Sequence, residues 1–70
     1  MKVIFITPSQ IRNIPPVDLH FPLSVGDEIS QVTRDRDNVE LVVVEVKYVA
    51  DTANGEFSQS VRVELRKAAV

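Results

Sequence analysis

The chain has 70 residues, room for one small domain, and a net charge of −2 from 8 basic and 10 acidic side chains. That balance gives no broad electrostatic footprint for a nucleic acid, whose binding depends on neutralised phosphates. The absence of cysteine excludes a disulfide framework, a thiolate zinc site and a thiol nucleophile. An apolar share of 44% argues for a folded domain rather than a disordered one.

Valine, isoleucine and threonine dominate the chain. These β-branched side chains lose freedom in a helix and pack well on a pleated sheet. No helix-length segment carries apolar residues at the i, i+3, i+4, i+7 spacing without meeting a proline or a β-branched run. The expected class is all-β, a five-stranded SH3-like barrel or a strongly bent antiparallel sheet, as one domain over residues 1–70. The apolar run Val3–Ile6 is shorter than a signal-peptide core of roughly 7–15 residues or a membrane helix of about 20. A cytoplasmic location is the expectation.

Lys2–Ile6 reads as the first strand, with Val3 and Phe5 on one face and Ile4 and Ile6 on the other. A strand apolar on both faces is expected to be buried on both sides or to lie beside a partner. Residues 7–18 form a long connection broken by Pro8, Pro15 and Pro16. Ile11, Ile14 and Val17 within it are placed to pack on the barrel. Ser9 could cap a single helical turn reaching Ile14, after which the prolines force an extended path. Leu19, Phe21 and Leu23 alternate with His20 and Pro22, the pattern of a short edge strand. Ser24–Asp27 is a turn in which Gly26 takes a positive φ.

Glu28–Arg34 reads as a strand with a bulge near Ser30-Gln31, since Ile29 and Val32 break the period of two. Asp35–Asn38 is a polar turn. Val39–Ala50 is a long strand whose strict alternation groups Val42, Val44, Val46 and Tyr48 against Leu41, Val43, Glu45, Lys47 and Val49. Asn54-Gly55 marks a hairpin. The last strand, Phe57–Lys67, points Phe57, Gln59, Val61, Val63 and Leu65 inward. A tight two-residue turn would set Glu45 opposite Glu64 and Lys47 opposite Arg62. Like charges in that position repel. A slide of two residues gives Glu45–Arg62 or Lys47–Glu64, so a wider loop or a bulge is expected.

Chemistry is sparse. Asp18, His20 and Ser24 lie within seven positions of one short segment, too close in sequence to converge as a catalytic triad, and a partly exposed histidine is the simpler account. Asp35-x-Asp37-Asn38 lacks the oxygen ligand and glycine that a calcium loop needs next, since Val39 and Glu40 follow. The chain is not expected to be an enzyme or to hold a metal or a cofactor. Lys47, Arg62, Arg66 and Lys67 could form a basic stripe for nucleic acid. Glu45 and Glu64 interrupt it, and Phe5, Phe21, Tyr48 and Phe57 all fall on faces assigned to the core. Ile14-Pro15-Pro16-Val17 could dock with a proline-reading partner or close one end of the barrel.

Phe21-Pro22-Leu23-Ser24-Val25-Gly26-Asp27-Glu28-Ile29, followed by a strand, a polar turn, a valine-rich strand and a closing hairpin, resembles small SH3-like barrel proteins of bacteria, phages and mobile gene cassettes. The likeness spans Leu19 to Lys67 and implies a fold and a bacterial origin, with no activity and no site residue attached. The leading expectation is a non-enzymatic interaction or assembly module that self-associates, as a dimer, through an apolar sheet face or edge strands. Val3, Phe5, Leu41 and Val43 are the expected surface, because a small barrel has one interior and these residues exceed it. The competing account is that Ile11, Ile14 and Val17 cover them. A small nucleic-acid-binding barrel is the alternative function.

Overall fold

The computed structural model describes residues 1–66. Within them the chain forms five strands and no helix: β1 (Lys2–Ile6), β2 (Val17–Asp18), β3 (Glu28–Val32), β4 (Asn38–Asp51) and β5 (Glu56–Leu65). They make one sheet in the order β2-β1-β5-β4-β3, curled into a half-barrel. The expected all-β class and bent sheet are present. One pair is parallel, β1 with β5, and the others are antiparallel. Alternation of side chains is the same in either direction, so the sequence pattern is silent on that point.

A bulge sets the shape of the sheet. Near the hairpin, Tyr48 faces Gln59, Val46 faces Val61 and Glu45 faces Arg62, whereas beyond the bulge Val43 faces Val63 and Leu41 faces Leu65. Val44 is the extra residue. It reverses the phase of the strand, so Leu41 and Val43 share the concave face with Val46 and Tyr48. The strict alternation expected across Val39–Ala50 is corrected accordingly. Bulges also bend the strand that carries them and increase its twist, which curls the sheet.

The concave face holds the core. Val3, Leu41, Val43, Val61 and Val63 are buried, and Phe5, Ile29, Val39 and Val46 pack against them from the same sheet. The segment between β1 and β3 lies over this face. Its Ile11, Ile14, Leu19 and Leu23 complete the core, while Val17 stays exposed. A single turn, with Ile11 N–H donating to Pro8 O at 3.3 Å, replaces the helical turn expected after Ser9. The expected edge strand at Leu19–Leu23 is not formed. Leu19 and Leu23 alternate because they point down from a covering loop. The strand that does form is Val17–Asp18, which pairs with Lys2 and Val3.

Gln59 fastens this cover to the sheet. It is fully buried at the centre of β5. Its Oε1 accepts from Leu23 N–H at 3.0 Å and its Nε2 donates to Leu23 O at 2.6 Å. The amide side chain thus satisfies a backbone amide as a neighbouring strand would. Next, Ser24–Asp27 closes a turn, with Asp27 N–H donating to Ser24 O at 3.0 Å, and Gly26 has φ 95° as expected. That is the type II geometry glycine favours at its third position. Gly26 N–H then donates to Val43 O, and Val43 N–H donates to Asp27 O. Two residues thus oppose one, and the bulge expected at Ser30-Gln31 sits here instead. β3 itself runs regularly, with Val32 pointing away from the core at 62% exposure.

Candidate interaction surface

The four residues expected to form an interface are not at the surface. Val3, Leu41 and Val43 are buried in the core, and Phe5 is half-buried against it. The covering loop supplies the missing wall through Ile11 and Ile14, so the surplus the sequence suggested is absorbed inside one chain. That expectation is corrected. Of the two expectations for β1, burial on both faces is not met, since its convex side leaves Ile4 40% and Ile6 50% exposed.

Apolar surface remains, at other positions. The β4–β5 hairpin runs past the core, and its concave side beyond the cover carries Tyr48 and Phe57, exposed at 58% and 64%. Tyr48 faces Gln59 and Ala50 faces Phe57, so the two rings sit on diagonal positions of one face, within reach of each other. Phe21 in the covering loop is equally open. The assignment of Phe21, Tyr48 and Phe57 to the core is corrected: the strand is longer than the interior it lines.

The basic residues lie elsewhere. Lys47 faces Ser60 and Arg62 faces Glu45, on the convex side, where Arg62 forms an ion pair with Glu64 at 2.9 Å. Arg66 reaches Glu28 at 3.4 Å. Lys67 lies outside the described residues. Tyr48 and Phe57 occupy the opposite face of the sheet, so stacking rings and phosphate-binding cations do not share a surface. The arrangement gives the nucleic-acid alternative no support. Asp18, His20 and Ser24 are all exposed. Ser24 N–H is held by Asp27 Oδ2 at 2.8 Å, within its own turn. Among the described residues no group of three His, Asp or Glu side chains could hold a metal ion. No helix among them is long and apolar enough to cross a membrane.

Two clefts border the sheet edges. One, of about 600 Å³, separates Ile4–Thr7 of the β1 side from Asn13–Pro16. Pairing between β1 and β2 stops at Val3 because Pro16 and Pro15 come next and have no N–H to donate. The other is an apolar groove of about 350 Å³ between β3, through Glu28 and Ile29, and the side chains of Phe5, Ile14, Leu19, Phe21 and Leu23. Its walls come from β1, the covering segment and β3, with none from β4 or β5. It is the open mouth of the half-barrel, on the free side of β3. Sequence pattern alone gave β3 no functional weight. The available signal was the absence of proline and lysine from Glu28–Val32, residues that commonly guard an edge.

No family model, curated protein or solved structure matches this chain.

Proposed function

We propose that the protein is a non-enzymatic interaction module that self-associates, with a second copy of the chain as its first partner. The observation carrying this reading is the distribution of apolar side chains. Five hydrophobic residues are fully buried among those described, while eleven large ones, from Met1 to Leu65, are exposed. Singly exposed hydrophobics are ordinary. Here they are joined by an apolar groove at an unclosed sheet edge, the type of site that takes up another chain.

Asp18, His20 and Ser24 stand exposed rather than enclosed in a pocket, which supports a binding role over a chemical one. The test is the solution mass of the untagged protein, by light scattering over a hundredfold concentration range. A mass rising from the 7.8 kDa of one chain towards twice that value is expected. A single-chain mass throughout would overturn the reading.

A further inference from the structure

We propose that the self-association takes one specific form: β3 pairs antiparallel with β3 of a second copy about a two-fold axis at Ser30. This rests on the self-association reading and adds where and in what register it occurs. The hydrogen bonding of β3 selects the register. Asp27 and Val43 are bonded at one end of the strand, and Thr33 N–H donates to Asp37 O at 3.0 Å at the other. Bonded and non-bonded pairs alternate along an antiparallel ladder. Ile29 and Gln31 therefore spend their backbone groups on β4. Glu28, Ser30 and Val32 direct theirs to the free side.

A two-fold at Ser30 sets Ser30 against Ser30 and Glu28 against Val32 of the second copy. Every outward N–H and C=O of these three residues then finds a partner. Sliding the strands by two residues in either direction leaves some of them unpaired.

The side chains agree with this register. It preserves the faces, so the two sheets join with both concave sides on the same side. Ile29 lies diagonal to Ile29 of the second copy, at the rim of the apolar groove. On the convex side, Glu28 lies opposite the uncharged Val32 of the second copy, and its carboxylate keeps its bond to Arg66 of its own chain. No like charges face each other. The two edges of the sheet also differ in a telling way. The β1–β2 edge is blunted by Pro15 and Pro16, whereas β3 carries no proline, no lysine and no inward charge.

The experiment compares wild type with Ser30→Pro and Val32→Pro by sedimentation, with hydrogen exchange on the wild type. Proline is tolerated at Ser30 and Val32 because each N–H faces away from β4. We expect a wild-type dimer that dissociates on dilution. Ser30→Pro and Val32→Pro should each weaken it at least about tenfold, since each removes a donor from the shared ladder. The amides of Glu28, Ser30 and Val32 should be protected at high concentration and exchange freely on dilution. A dimer unchanged by the two prolines overturns the edge pairing and leaves self-association standing. A wild-type monomer at every concentration overturns both. If a proline variant fails to fold, the exchange pattern of the wild type decides.

Discussion

Gln59 is the residue on which the cover of the core depends. Its side chain alone pairs both backbone groups of Leu23. Gln59→Leu has nearly the right volume but leaves that donor and acceptor without partners. A loss of about 2–3 kcal/mol is expected in denaturant unfolding, from the cost of stranding them. Gln59→Glu gives a sharper result. A protonated glutamic acid can still donate to Leu23 O and accept from Leu23 N–H, but the carboxylate cannot donate, and burial disfavours its charge. The folded-state pKa is therefore raised above the unfolded value. Stability is then present below the unfolded pKa and lost as pH rises through the folded one. Gln59→Glu should approach wild type in acid and fall behind it at neutral pH, as read by urea midpoints across pH. The inward direction of Gln59 was legible from alternation. Its partner was not, because Leu23 belongs to a loop whose path no local pattern fixes. Arg36 is the other residue under local control. It has φ 64° in the loop between β3 and β4, where Arg36 N–H donates to Thr33 O and Thr33 and Asp37 close the ladder. The left-handed region costs an L-residue roughly 1–2 kcal/mol. Arg36→Gly should recover up to about 1 kcal/mol, measurable as a raised thermal midpoint.

The strands show where sequence reasoning reaches and where it stops. Charge alone excluded the tight hairpin turn and left two registers, Glu45 with Arg62 or Lys47 with Glu64. Repulsion between Glu45 and Glu64 argued against a two-residue turn, and the pairing found is Glu45 with Arg62 across a four-residue loop, Thr52–Gly55. Asp51 Oδ1 accepts from the N–H groups of both Ala53 and Asn54 and steadies that loop. The charges also allowed a bulge in this hairpin, but its position at Val44 was not legible. Leu41–Val44 are all apolar, so the change of phase leaves no trace in the polarity pattern. Polar markers return only at Glu45, when the reversal is complete. This is why Leu41 and Val43 were placed on an outer face. Deleting Val44 should give a regular ladder with every other β4–β5 pair kept, since only the extra residue is removed. The cross-strand contacts of Val43 with Val63 and Val46 with Val61 should persist in NMR spectra. The sheet should flatten, and the cover should seal the core less well. A loss of about 1–3 kcal/mol is expected, the range for a core whose packing is loosened without a large void.

A 70-residue chain that buries so few side chains completely is close to the lower limit for independent folding. Domains of this size bury only about 60% of the surface their unfolded chains expose. The half-barrel shape worsens the deficit, since the mouth between β3 and the covering loop is lined with apolar groups that no strand among the described residues fills. Association then acts on stability directly. Anything that binds the folded state alone raises the unfolding free energy by mass action. For a folded dimer and unfolded monomers, each tenfold rise in concentration above the dissociation constant adds about 0.7 kcal/mol per chain, half of the usual 1.4 for a tenfold change. A domain of this length shifts its melting midpoint by roughly 4–8 °C for each kcal/mol. The wild-type midpoint should therefore climb by about 3–6 °C per decade of concentration once dimers dominate. Ser30→Pro should melt at one temperature throughout the range in which sedimentation finds it monomeric. A wild-type midpoint equally flat through the range where sedimentation shows dimers would mean that melting is controlled by the unfolding rate and not by equilibrium, since mass action holds whichever step comes first. Stabilisation by the β3 edge would then have to be sought in the unfolding rate instead.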